Sequence, residues 1–225
     1  MFMGLVGSEM CIRDRYLIVK GVNNYKQIGT TIDDAVGEAF DKTAKILNLG
    51  YPGGPNVEKF SKLGIKDSFI LPQPIINRAG CNLSLAGLKT DVLRKSKNLK
   101  SNKERYNLAA SFQETVNKIL KKKTEVAMKQ FRNEITNKSL KYFVVAGGVA
   151  SNETIRKGLK EVSLKMNFKP IFPSKEFCGD NAAMIAWAGI QRFKKKLFNK
   201  KNETVKSRWP LDVKAPFLKG PGLKF

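Results

Sequence analysis

The stretch "KYFVVAGGVASNETIRKGL", residues 141–159, constrains the fold more than any other part of the chain. Tyr142 to Ala146 reads as a short buried strand, and Gly147 and Gly148 follow it at once. A capped helix opens near Ser151 or Asn152. A strand that runs through a glycine turn into a helix argues for an α/β layer fold. The glycines let the backbone approach a ligand closely, and the helix N-terminus offers N–H groups to phosphate or ribose oxygens. The same pattern is also an ordinary tight turn, and the motif alone does not choose between the two.

The remaining elements fit such a fold. "YLIVKGV" and "YKQIGTTI" read as antiparallel neighbours, with a helix after them in "DDAVGEAFDKTAKILN". In that helix Val36, Phe40, Ala44 and Leu47 recur at helical spacing, behind an acidic start at Asp33 and Asp34. "LGYPGGP" stops it, and a second helix opens near Pro55. Short strands are expected around "CNLSLAG". A long helix follows from Lys103 to Phe131, with Leu108, Phe112, Val116, Ile119 and Val126 on one side and a basic opposite side. "KPIFPS" reads as a further strand and "GDNAAMIAWAGIQRF" as a further helix. No internal repeat is present. The first fifteen residues, "MFMGLVGSEMCIRDR", resemble translated sequencing-adaptor sequence and are expected to be non-native and to lie outside the fold. Residues 212–225 form a basic tail.

Charge narrows the partners. The 225 residues carry 42 Lys+Arg against 19 Asp+Glu, a net +23, which predicts attraction to a polyanion, nucleic acid first. A generally Lys-rich surface is the competing explanation. The 3 cysteines form no C-x-x-C pair, which suits a reducing cytoplasm, and no apolar stretch approaches the length of a membrane span. With no histidine, the chain has no H-E-x-x-H metal site and no Ser-His-Asp arrangement.

Two sets of carboxylates are candidates for chemistry. Asp34, Glu38 and Asp41 share a helix face, either paired with lysines or, in Asp41, accepting from ribose hydroxyls while Gly53 and Gly54 bring backbone to the same ligand. Asp180, in "EFCGDNAAMIAWAG", stands where a helix cap or a ligand-binding carboxylate would stand. Cys178 beside it reads as a small buried hydrophobe.

In order and separation, "TTIDDAVGEAFDKTAKILNLGYPGGP", "LSLAGLKT", "VVAGGVASN", "FCGDNAAMIAWAG" and "SRWPL" resemble the tRNA N6-adenosine threonylcarbamoyltransferase family, once described as O-sialoglycoprotein endopeptidases. The resemblance runs over residues 16–211. It implies the actin-like ATPase fold of sugar kinases and heat-shock chaperones, with two ribonuclease-H-like lobes around a nucleotide cleft. It implies transfer of a threonylcarbamoyl group from threonylcarbamoyl-AMP to N6 of adenosine 37 in tRNAs that read A-starting codons. Partners would be tRNA, a catalytically inactive paralogue subunit and a small ATPase subunit.

The same resemblance places Asp41, Gly54 and Asn152 on the adenylate, with Glu58 as a further contact and Gly147 and Gly148 as the turn beneath it. It makes Asp180 a ligand of one divalent metal, described as iron or zinc, with iron before zinc. The family's two metal-binding histidines and its Ser-Gly-Gly-His-Thr loop have no counterpart here, so the chain is expected to be an N-terminally truncated piece and to be inactive as it stands. Arg94, Lys95, Lys97, Lys121 to Lys123, Lys194 to Lys196, Lys200 and Lys201 are candidates for tRNA phosphates. The alternatives are a non-catalytic paralogue, or another ATPase or sugar kinase of the same fold.

Overall fold

The computed structural model describes residues 2–8, 11–135, 141–198 and 210–215. Lys200, Lys201, the "SRW" of "SRWPL" and the tail from residue 216 therefore lie outside the described residues. One mixed sheet organises the rest. β2 (Cys11–Gly21) and β3 (Asn24–Thr30) form an antiparallel hairpin, turned at Asn23, whose φ of 58° suits asparagine. β1 (Phe2–Ser8) pairs antiparallel with β2 on one side and parallel with β4 (Tyr142–Ala146) on the other. β5 (Lys169–Ile171) completes the spatial order β3-β2-β1-β4-β5.

This order corrects the expectation that the first fifteen residues join nothing. Residues 2–8 are the middle strand, and 11–15 belong to β2. A short run without a helical or alternating period carries no local signal of its own, and its place as a strand is set by pairing with β2 and β4. Asp14 is bound in still more closely. Its buried carboxylate accepts from Val36 N at 2.7 Å and Thr31 Oγ1 at 3.1 Å, which caps α1 (Val36–Ile46) from outside the helix. Burial raises its carboxyl above the ordinary 3.8, against the opposing pull of those hydrogen bonds.

The acidic pair expected to start α1 is used elsewhere. Asp33 Oδ1 accepts from Leu85 N at 2.7 Å and Ala86 N at 3.3 Å, and Oδ2 accepts from the Ser84 hydroxyl, so Asp33 caps α3 (Ala86–Ser96). That cap explains a second correction. Around "CNLSLAG" the chain makes a single bridge, Thr31 to Leu83, and then turns helical. The cap comes from residues distant in sequence, where local reading does not look.

α4 (Asn102–Glu134) opens with a side-chain cap, in which Ser101 Oγ accepts from Glu104 N at 3.2 Å, and Glu104 Oε2 reaches back to accept from Lys100 N, just before the cap, at 2.6 Å. Its apolar face buries Leu108, Phe112, Val116 and Ile119, and Phe112 meets Phe40 of α1 edge to face at 5.1 Å. α5 (Glu153–Lys165) crosses α4 so closely at Gly158 that a Cβ there would lie 2.2 Å from Asn117 Oδ1. α2 (Gly53–Ser61) packs against α1 and α4.

α6 (Ala182–Lys194) stands apart, with no buried residue. Ile185, Trp187 and Phe193 are 67%, 63% and 70% exposed. An apolar stripe of this kind is larger than soluble chains usually leave open. The 225-residue chain is therefore expected to bind the dye ANS near neutral pH, and Trp187→Lys with Ile185→Lys is expected to remove most of the enhancement. Equal fluorescence in the double variant would show that α6 is covered.

Candidate functional site

Asp41 projects from the exposed side of α1. Its Oδ1 accepts from Gly53 N at 2.9 Å, so one carboxylate oxygen holds the start of α2 while the other stays uncommitted. Gly53 is buried against the Asp41 backbone, and a Cβ there would stand 2.4 Å from Asp41 Cα. The paired-lysine reading holds for the other two acids of the face. Lys42 bridges Asp34 and Glu38, and Lys89 adds a 2.6 Å contact to Asp34. Burial pushes the Asp34 carboxyl up, but hydrogen bonds from Lys89 and Lys42 outweigh it and hold the group below its ordinary value. Asp41 is thus set apart from its neighbours. It borders a cavity of about 460 Å³ lined also by Lys42, Lys45, Asn48, Gly50 and Tyr51.

Hydrogen bonds tie α2, whose start Asp41 holds, to the start of α5. Glu58, on α2, accepts from Glu153 N at 2.7 Å. Ser61 Oγ accepts at 2.8 Å from Gln113 Nε2, which also reaches Thr154 Oγ1 at 3.1 Å. Gln113 Oε1 accepts from Asn152 Nδ2 at 2.9 Å, and Asn152 Oδ1 caps α5 by accepting from Ile155 N at 3.0 Å. Asn152 is only 8% exposed. Both of its polar atoms are engaged, which leaves one amide hydrogen for a ligand. Glu58 and Asn152 together satisfy the Glu153 and Ile155 N–H groups, so the N–H of Thr154 between them is the donor α5 still offers.

Gly147 has φ 89°, a conformation that favours glycine, and the 3₁₀ turn Gly148–Ser151 follows it. A methyl on Gly148 or on Gly54 would meet nothing within 4 Å, so both backbones face open space. Glu58 and Asn152 are thereby tied together at the start of α5, while Asp41, Gly53 and Gly54 stand at the opposite end of α2. Gln113 is the link that sequence reading missed. Its signal is an amide beside the apolar stripe of α4, directly after Phe112 and one turn before a second buried amide, Asn117.

Asp180 is not the cap of α6. Asn181 is, with Oδ1 accepting from Met184 N at 2.9 Å. Asp180 is exposed, and among the described residues no three His, Cys, Asp or Glu side chains come together in a way that could hold a metal ion. One exposed carboxylate does not make a transition-metal site, so the described residues do not by themselves fit the metal.

The profile of the tRNA N6-adenosine threonylcarbamoyltransferase family matches residues 13–187. The chain belongs to this family. A tRNA N6-adenosine threonylcarbamoyltransferase of Pelagibacter ubique (strain HTCC1062) is 52% identical over 210 residues, which are 93% of this chain and 58% of that protein. Relatives of the same name from Rickettsia rickettsii (strain Sheila Smith) and Zymomonas mobilis subsp. mobilis are each 44% identical, covering 88% and 92% of this chain. The chain thus spans 58% of the length of the Pelagibacter and Rickettsia relatives. Among solved structures, HypF of T. kodakarensis superposes with TM-score 0.52 at 20% identity over 77% of this chain and 21% of that one, a likeness of fold. Membership in the threonylcarbamoyltransferase family brings the actin-like fold with it, of which β1–β5 form one five-stranded sheet.

The basic residues sort by partner. Lys123 is fully buried and donates to Arg78 O at 2.8 Å and Gly80 O at 3.1 Å, which removes it from the phosphate candidates. Arg94 and Lys95 share Asp91, and Lys121 meets Glu161 at 3.1 Å. Lys97, Lys122 and Lys194 to Lys196 are exposed. A buried lysine satisfies the same compositional pattern as an exposed one, which is why clustering alone takes in Lys123.

Proposed function

We propose that this chain carries the adenylate half of a tRNA threonylcarbamoyl transfer site, within a protein of the length of its relatives. The single observation that carries the reading is Asp41 held through one oxygen by Gly53, with the other free beside the cavity, in a chain that matches the family over residues 13–187. The free carboxylate oxygen of Asp41 accepts from ribose hydroxyls of threonylcarbamoyl-AMP. The open backbones at Gly54 and Gly148 allow close approach, and the Thr154 N–H at the α5 N-terminus favours the phosphate. N6 of adenosine 37 attacks the carbamoyl carbon, the bond from that carbon to the AMP phosphate oxygen breaks, and N6 loses a proton.

A divalent metal, iron before zinc, would supply Lewis-acid polarisation if bound. Asp180 is the residue of this chain that would contribute to holding it, together with two histidines this chain does not contain. Exposed lysines at 97, 122 and 194–196 track tRNA phosphates. The inactive paralogue and the small ATPase are the partner subunits, in the cytoplasm, where tRNA is modified.

The test is adenylate binding by the 225-residue chain, read by calorimetry with AMP. Binding is expected, with a loss of about tenfold or more in Asp41→Ala, or roughly 1.4 kcal/mol. No AMP binding to the wild type would sink the adenylate reading. Transfer to tRNA is expected only when the chain is joined to a segment carrying the family's two histidines, and in that protein Asp180→Ala is expected to lose bound metal while Tm stays unchanged. Full metal content in Asp180→Ala, or transfer by the histidine-free chain, would overturn the metal assignment.

A further inference from the structure

Arg156 stands one turn into α5 and reaches in three directions. Nε donates to Ala150 O, in the turn after the two glycines, and Nη2 donates to Pro173 O while lying 3.4 Å from Cys178 Sγ. The guanidinium carbon sits 5.3 Å from the centroid of the Phe172 ring. One half-buried side chain thus spans the gap between the glycine turn and residues 172–178, two positions before Asp180.

That segment has little regular structure of its own. β5 ends at Ile171 and α6 begins at Ala182, and the backbone bonds between them, Phe177 N to Ser174 O and Cys178 N to Lys175 O, stay within one turn. A second polar tie also ends on α5. Lys175 Nζ lies 2.6 Å from Glu153 Oε1, and the hydrogen bond from Lys175 holds the Glu153 carboxyl below its ordinary value. Glu153 pairs on the surface, where such contacts contribute little. Arg156 is different in kind, because its planar fork meets two carbonyls, a sulfur and a ring at once, which a lysine ammonium cannot reproduce.

We propose that Arg156 is a positioning residue that couples occupancy of the adenylate site to the placement of residues 172–180. The inference rests on the adenylate reading above. A ligand that orders the glycine turn fixes Ala150, Arg156 carries that order to Pro173 and Cys178, and the segment bearing Asp180 is held in one place relative to the cleft. Cys178, which is buried, is the far anchor of this brace.

The experiment is hydrogen–deuterium exchange by mass spectrometry on the whole chain, wild type, Arg156→Lys and Arg156→Met, with and without AMP, beside calorimetric AMP titrations. Without ligand, peptides covering 172–181 are expected to exchange about tenfold or more faster in both variants, while α4 peptides keep their wild-type protection. With AMP, protection of 172–181 is expected in the wild type and absent in Arg156→Lys, even where the titration shows AMP bound. Equal unliganded exchange in wild type and Arg156→Lys, or AMP protection of 172–181 that survives Arg156→Lys, would overturn the proposal. A wild type that binds no AMP overturns the adenylate reading instead, and the unliganded comparison still decides whether Arg156 holds the segment.

Discussion

Gly53→Ala is expected to weaken AMP binding at least as much as Asp41→Ala does, although it removes no polar group. The added Cβ would lie 2.4 Å from Asp41 Cα, 2.6 Å from Asp41 Oδ1 and 3.0 Å from Ala44 Cβ. Backbone on one side and a buried methyl on the other leave no flexible side chain to yield. α2 must move away from α1, which breaks the Gly53 N to Asp41 Oδ1 bond and releases the carboxylate that the hydrogen bond had oriented. Overpacking of this kind costs about 1–3 kcal/mol of stability. Gly54→Ala is the control, since a methyl there meets nothing within 4 Å, and its Tm is expected to match the wild type. If Gly53→Ala binds AMP normally, the Asp41 orientation has no bearing on the site.

Lys123→Ala is expected to be the most destabilising single change among the lysines. The ammonium lies inside the fold beneath α4 and joins Arg78 O and Gly80 O, directly ahead of Cys81, whose buried thiol is pushed up to about 12. Alanine leaves two carbonyls without their donor and a cavity the length of the side chain, a loss of about 3–5 kcal/mol. Lys123→Met restores the volume without the donor and is expected to fall between. Both are read by urea unfolding.

The pH dependence has a definite sign. Burial lowers the Lys123 pKa below its ordinary 10.5, so above the folded value the unfolded chain binds the proton more tightly. Stability of the wild type relative to Lys123→Met should therefore rise as the pH climbs from the folded value toward 10.5. The neutral amine still has hydrogens for both carbonyls, which is why the interaction survives deprotonation. Parallel curves for the two proteins would mean the lysine is charged throughout.

Elements with a strong local pattern were legible in the sequence. The hairpin β2–β3, the strand before Gly147 and the helices at 36–46 and 102–134 all carry their period within a dozen residues. What escaped was set by distant partners. Asp33 reads as the start of α1 and instead caps α3, because the bridge from Thr31 to Leu83 delivers it there. Lys123 reads as surface charge, because nothing in a basic run marks the residue whose carbonyl partners lie more than forty positions away. Asn152 was legible as a helix cap, but its second bond to Gln113 was not, since the two come from different helices.

The seat of β1 bears on how the chain reaches this structure. Its antiparallel partner is close in sequence, but its parallel partner is not, since Phe2 stands opposite Tyr142 and Val6 opposite Ala146. The β2–β3 hairpin can close within microseconds of being free to do so. The sheet, however, stays in two halves until β4 arrives beside β1, a loop closure that spans most of the chain and carries a large entropic cost before any pairing compensates for it. When the 225-residue chain refolds, therefore, the side of β1 that faces β4 is an unpaired edge until β4 docks, and it is in that interval that a holding chaperone would have the most to protect.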